Sequence, residues 1–318
     1  MATNTTYFIT KDQLMNVAEA IRSKTGASDL LVFPSGFANA IRGISGGVPA
    51  DEIMTSSIKE LIGTSATSIC SSVCKDCSSL VNVSFPMVTS IGDHAFSGCT
   101  ALKTANFPEA TYVASYAFFK CSSLNTINFP KLVSASAGAF ASCIMLKSAA
   151  FPLLSYIGAY AFENCYALET INIPAAKVIS TCAFGYCSSL VTVIAPNLTT
   201  IDSRMFYSCP ALRSVTFQAA TSVSHSAFYN CTSLSIVNLP NVSYIQQSAF
   251  ESCHSLMSVY LLSTSLCSIA HSNVFYHTPI WSSSYTGAYG SIYVPASMLS
   301  SYQTHATFSY YKSRFVGV

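Results

Sequence analysis

Thirteen cysteines in 318 residues make thiol chemistry the first thing to test. Cys70, Cys74 and Cys77 stand in a C-x3-C-x2-C spacing, and three thiolates so placed could hold an iron–sulfur cluster for radical chemistry. Other reactive groups are thinly spread. The six histidines (His94, His225, His254, His271, His277 and His305) form no column, and the few acidic residues offer no paired carboxylates for acid–base work. Serine is abundant, yet no Gly-x-Ser-x-Gly elbow and no glycine-rich phosphate loop accompanies it.

A fixed period accounts for most of these thiols without a cluster. Cysteine recurs every 22 residues at Cys77, Cys99, Cys121, Cys143, Cys165, Cys187, Cys209, Cys231 and Cys253. Leucine follows three residues after each, and phenylalanine keeps the same step from Phe96 to Phe250. Proline recurs from Pro86 to Pro240, with Gln218 at the one gap. In this register Cys77 is the first rung of the cysteine column, and Cys74 takes the phenylalanine position 22 residues before Phe96. Side chains in register on adjacent turns lie ~4.8 Å apart and point the same way, a poor arrangement for a disulfide. The column therefore reads as free, buried thiols acting as small hydrophobes, which suits synthesis in a reducing cytoplasm. No metal, cofactor or catalytic residue is expected.

Each unit reads Cys-x-x-Leu-x-x-Val-x-Phe-Pro, then a β-branched residue such as Ile91, Ile157 or Ile201, then Ala-Phe. Leu80, Val83 and Phe85 predict a short strand with one buried face. Pro86 ends it, because proline has no N–H for the ladder. The Ala-Phe segment packs the opposite side of the coil. One such unit cannot bury its own apolar face, so the units must stack into a parallel-strand solenoid of nine to ten turns.

The stretch SIGDHAFSGCTALKTANFP resembles the BspA-like class of bacterial leucine-rich repeats. The resemblance covers residues from about 55 to 280 and implies a surface-exposed or adhesive protein without naming a ligand. The expected organisation is a helical module over 1–44, a linker over 45–54, the repeat solenoid over 55–280 and a capping segment over 281–318.

In the first module Thr10 and Gln13 form a capping-box pattern, and Leu14, Val17, Ala18 and Ile21 share one helical face. The segment ITKDQLMNVAEAIRSKTG, continued by LVFPSGFANAIRGI, resembles an N-terminal segment of phage and prophage tail-associated proteins, which implies a particle-bound location. At the far end the period slips by two to three residues at Ile269 and Phe275, so an insertion is expected within Leu261–Cys267. Trp281, Tyr293, Val294, Tyr302, Phe308 and Phe315 would supply a cap over the last apolar surface.

Composition narrows the partners. Charged residues are 9% and the net charge is +2, so there is no electrostatic footprint for nucleic acid. Although mean hydropathy is +0.43, polar residues or proline interrupt every apolar run, so no membrane insertion is expected. Residues 1–25 lack the basic start and apolar core of a Sec signal. The reading is a protein made in the cytoplasm and carried to a virion or the exterior by another route.

Two sets of positions could hold a ligand. In leucine-rich repeats the outward residues of the strand line the concave face. Here those columns include Asn82, Thr104, Thr126, Thr170 and Thr192 on one side and Asn106, Asn128 and Asn172 on the other. Such residues also satisfy one another along a parallel sheet. The second set lies near the Phe–Cys turn, where Phe119, Tyr166, Tyr186, Tyr207 and Tyr229 fall outside the core register. Tyrosine offers rigid amphipathic contact at low entropy cost, and serine adaptable hydrogen bonds. The expected function is non-enzymatic binding of a protein or carbohydrate on a cell surface, with virion tail proteins as further partners. The alternatives are an inert structural spacer and a host-directed bacterial adhesin.

Overall fold

The computed structural model describes residues 59–63, 66–281 and 289–318. The helical module expected at 1–44 and the linker at 45–54 lie outside the described residues. Two compact units divide between Leu146 and Lys147.

In the first unit each turn carries two short strands. They are β1 (Glu60–Ile62), β2 (Ser68–Ile69), β3 (Asn82–Ser84), β4 (Ser90–Ile91), β5 (Thr104–Asn106), β6 (Tyr112–Val113), β7 (Thr126–Asn128) and β8 (Ser134–Ala135). Odd-numbered strands form one parallel sheet, and even-numbered strands line up as a second. The register equals the sequence period: Asn82 faces Thr104, which faces Thr126. Val83 and Ala105 point inward while Asn82, Ser84, Thr104 and Asn106 point out. The first sheet matches the expected strand. The second was not foreseen, because it consists of only two residues per turn, one exposed or half-buried and one buried.

Proline has a more specific task than ending a strand. The Val88 N–H donates to the Phe85 carbonyl at 3.3 Å, and Ala110 repeats this onto Phe107 at 3.1 Å. Pro86 and Pro108 thus occupy the second position of a tight turn, where a fixed φ is an advantage. In the second unit Gln218 fills that position, and the Ala220 N–H still reaches the Phe217 carbonyl at 3.3 Å. The turn therefore does not depend on proline.

The cysteine column also acquires a reason. The Cys121 thiol donates to the Phe96 carbonyl at 3.1 Å and the Cys143 thiol to the Phe118 carbonyl at 3.2 Å. In the second unit Cys187, Cys209, Cys231 and Cys253 do the same to Phe162, Phe184, Phe206 and Phe228. A thiol is small enough for the core and still answers a buried carbonyl.

The second unit contains β9 (Ser148–Ala150), β10 (Tyr156–Ile157), β11 (Thr170–Asn172), β12 (Val178–Ile179), β13 (Thr192–Ile194), β14 (Thr200–Ile201) and β15 (Ser214–Thr216). It continues through β16 (Ser222–Val223), β17 (Ile236–Asn238), β18 (Tyr244–Ile245), β19 (Ser258–Tyr260) and β20 (Ser268–Ile269). β9, β11 and β13 pair in parallel, as do β15, β17 and β19; β14, β16, β18 and β20 form the opposite sheet. Phe162, Phe184, Phe206, Phe228, Phe250 and Phe275 stack at 5.2–5.7 Å between neighbours. Across the slip Tyr244 pairs with Ser268 and Ile245 with Ile269, so the insertion is absorbed before β20.

The closing segment does more than cover an end. Residues Ser291–Val294 (β21) and Phe315–Gly317 (β22) extend the sheet beyond β19 in parallel. Between them the helix α1 (Leu299–Thr304) carries Tyr302, which is fully buried and accepts the Cys267 N–H at 2.9 Å. Phe308 and Phe315 pack on Tyr302 at 5.3 and 5.0 Å. Val294 is buried, but Tyr293 departs from the expected capping role. It is an outward residue of β21 and stacks on Tyr260 at 4.6 Å. Among the described residues no helix is long and apolar enough to cross a membrane.

Candidate functional site

Among the described residues, each turn from Ser72 to Ser252 contains two positions at which the backbone is left-handed. One runs through Ser72, His94, Tyr116, Gly138, Tyr160, Cys182, Arg204, Ser226 and Ser248, the other from Asp76 through Lys120, Asn164 and Tyr186 to Ser252. Glycine, asparagine and aspartate suit this conformation; a bulky side chain there costs of order 1–2 kcal/mol. Tyr116, Lys120, Tyr160, Tyr186 and Arg204 occupy these positions although they are bulky.

Three tyrosines from successive turns meet in the second unit. Tyr186 lies 5.4 Å from Tyr207, tilted at 57°, and Tyr207 stacks on Tyr229 at 4.9 Å and 10°. Tyr207 and Tyr229 are half-buried, whereas Tyr186 is 42% exposed. Tyr186 is one residue out of register with the other two. The in-register position is Gly185, where any Cβ would lie 2.4 Å from the Cys182 sulfur. Glycine leaves that space to Cys182, and Tyr186 supplies the ring from the next, left-handed position.

Charged groups border the stack. The Arg204 guanidinium sits 5.8 Å from the Tyr207 ring centre. The Cys182 thiol donates to Glu163 Oε1 at 3.6 Å. Burial raises the Glu163 carboxyl, which the thiol partly counters. Burial also raises the Tyr207 hydroxyl, helped by the neighbouring hydroxyls of Tyr186 and Tyr229. Tyr166 is exposed, and its hydroxyl approaches Asn164 Oδ1 at 3.4 Å. The result is a ledge of aromatic faces and neutral hydroxyls with a cation at one side.

The strand-face residues behave differently in the two units. In the first, Asn82 Nδ2 donates to Glu60 Oε1 at 3.1 Å, and Thr104 Oγ1 donates to Asn82 Oδ1 at 2.7 Å. Asn106 donates to Ser84 Oγ at 2.8 Å and accepts from Asn128 Nδ2 at 2.7 Å. Thr126 turns to its neighbour Asn125 at 2.9 Å. These groups satisfy one another. In the second unit Thr170, Asn172 and Thr192 are exposed on paired strands, and no hydrogen bond ties down their side chains among the described residues.

Several residues around these surfaces escaped the sequence reading. Arg204, Glu163 and Cys182 join the tyrosine ledge only through the fold. In the first unit His94 stacks on Tyr116 at 5.2 Å, Phe119 meets Tyr116 edge-on at 5.6 Å, and Lys120 lies 5.1 Å from the Phe119 ring centre. The 22-residue step from His94 to Tyr116 was the available signal. Among the described residues no group of three or more histidine, cysteine or acidic side chains is placed to hold a metal ion.

Among solved structures, the T. pallidum leucine-rich repeat protein is 24% identical, aligned over 62% of this chain and 78% of that one, with a TM-score of 0.36. A leucine-rich cell surface protein of Faecalibacterium prausnitzii is 21% identical over 85% of each chain, with a TM-score of 0.41. A leucine-rich repeat protein of Bacteroides ovatus is 18% identical over 81% of this chain and 92% of its own, with a TM-score of 0.39. No curated protein matches the sequence. Six copies of the BspA type leucine rich repeat region match residues 67–191 and 155–281. With well over half of its length so matched, the chain belongs to the BspA-type leucine-rich repeat family.

Proposed function

We propose that the chain is a non-enzymatic recognition protein that binds a protein or glycan on a cell surface through the tyrosine ledge of its second unit. The row of Tyr186, Tyr207 and Tyr229, the first tilted against the second and the second stacked on the third, carries this reading. Three rigid rings are held in place before any ligand arrives, so little side-chain entropy remains to be lost on binding. The low charge fits a neutral partner met through stacking and hydroxyl contacts. Thr170, Asn172 and Thr192, exposed on the strand face of the same unit, supply a second set of contacts.

The spacer reading draws on the first unit, whose Asn and Thr side chains are occupied with one another. Binding of the purified chain to whole bacterial cells separates the two. Recognition predicts saturable binding that protease or periodate treatment of the cells removes; a spacer predicts none. Protease sensitivity assigns a protein ligand and periodate sensitivity a glycan.

Carriage on a phage or prophage tail is the finer form of this proposal, and it rests on the sequence resemblance of residues 9–44 alone. After prophage induction, peptides of this chain are expected to co-sediment with virions on a density gradient. Peptides confined to cells or free medium would remove the tail from the proposal and leave the bacterial adhesin.

A further inference from the structure

Cys74 is the one rung at which the phenylalanine column begins with a thiol. Every other turn reads Phe-x-x-Cys from Phe96 to Cys253, whereas the first reads Cys74-Lys75-Asp76-Cys77. The turn is otherwise the same. The Cys77 N–H donates to the Cys74 carbonyl at 3.2 Å, as Cys99 does to Phe96 at 3.1 Å. A turn closed in this way brings its first and last Cα within ~7 Å, and a disulfide needs about 4.4–6.8 Å. The obstacle to bridging neighbouring rungs of the column is thus absent within this single turn.

The two thiols also differ in surroundings. The neighbouring thiols act on each other: Cys77 raises the Cys74 thiol, and Cys74 lowers that of Cys77. Cys74 and Cys77 keep 9% and 8% exposure, whereas the rungs from Cys99 to Cys253 are fully buried. The Cys74 carbonyl is held by the Cys99 thiol at 3.0 Å, which fixes the turn from below.

We infer that Cys74 and Cys77 form a reversible dithiol–disulfide pair at the first described cysteine turn. The oxidant is a low-molecular-weight disulfide such as glutathione disulfide. The Cys77 thiolate attacks one of its sulfurs, breaking that S–S bond and releasing one thiolate. Cys74 then gives up its proton and attacks the Cys77 sulfur of the mixed disulfide, releasing the second thiol. The two cysteines lose two electrons together, and the external disulfide gains them as two thiols.

The test uses the full chain in its native state with mixtures of reduced and oxidised glutathione. The reaction is quenched in acid, alkylated and mapped by tryptic mass spectrometry. Trypsin cuts after Lys75, so a Cys74–Cys77 bond joins two peptides, and fragmentation separates it from bonds to Cys70 or Cys99. The expected result is that bond, lost on adding dithiothreitol. The Cys74→Ser variant should trap glutathione on Cys77, and the Cys77→Ser variant should leave Cys74 unmodified. A native chain that stays reduced at oxidising ratios overturns the inference. So does a bond from either residue to Cys70, or glutathione trapped on Cys70 alone in Cys74→Ser.

Discussion

Raising the pH past 9 under reducing conditions is expected to unfold the chain within roughly one to two pH units. Burial raises the thiols of Cys99, Cys121, Cys182, Cys187, Cys209, Cys253 and Cys267, with Cys182 and Cys267 pushed up to about 12. Well below about pH 8.5 these groups are protonated in both the folded and unfolded chain and leave stability unchanged. Above it the unfolded chain sheds protons that the folded chain keeps. Each thiol then removes about 1.4 kcal/mol of stability per pH unit. At pH 10 the seven together remove on the order of 10 kcal/mol, against the usual total of about 5–15. Cys77, whose thiol is lowered by the neighbouring Cys74, opposes the trend, but Cys74 is itself raised, which leaves one group against eight. Far-UV circular dichroism titrated from pH 7 to 11 with reductant checks this. A native spectrum at pH 11 would refute it, and changing Cys187 and Cys209 to Ala should flatten the dependence.

Replacing Phe228 by alanine is expected to cost about 3–5 kcal/mol, the range for removing a buried aromatic ring. Phe228 is fully buried and stacks on Phe206 at 5.3 Å and on Phe250 at 5.2 Å. Its carbonyl also receives the Cys253 thiol. Each turn of a solenoid rests only on its neighbours, so a gap in the column weakens two interfaces at once. For a unit of this size the melting temperature should fall by roughly 10 °C. Scanning calorimetry reads the shift, and a change under about 3 °C would show that the column is not the main support of the fold.

The architecture was legible because its signal is redundant. Cysteine, leucine, phenylalanine and proline each keep the 22-residue step, so the buried face could be assigned from any one column. Even the late insertion showed, since Ile269 and Phe275 fall out of step and Ile269 still pairs with Ile245. The second sheet stayed hidden because pairs such as Ser90–Ile91 are too short to show a period. The left-handed positions were hidden for another reason. Glycine would have marked them, but Ser, Tyr, Lys, Cys and Arg occupy most of them.

The site was legible in residue type and not in arrangement. Tyr207 and Tyr229 are a period apart, so their stacking follows from the repeat. Tyr186 is out of step, and its place in the stack depends on Gly185 yielding to Cys182, a contact no spacing rule contains. The Asn and Thr columns looked alike along their length. Only the side-chain hydrogen bonds separate Asn82, Thr104 and Asn106, which are engaged, from Thr170, Asn172 and Thr192, which are open.

The most direct test of the account is the affinity of the purified chain for the cells it binds, measured for three proteins. They are the unaltered chain, a variant with Tyr186, Tyr207 and Tyr229 changed to Ala, and one with Thr104 and Asn106 changed to Ala. Tyrosine hot spots are worth about 2 kcal/mol or more apiece, so the triple variant should bind at least ~100-fold more weakly while keeping its circular dichroism spectrum. The first-unit variant should stay within about twofold, since its groups serve the sheet. A folded triple variant that binds as tightly as the unaltered chain would contradict the account.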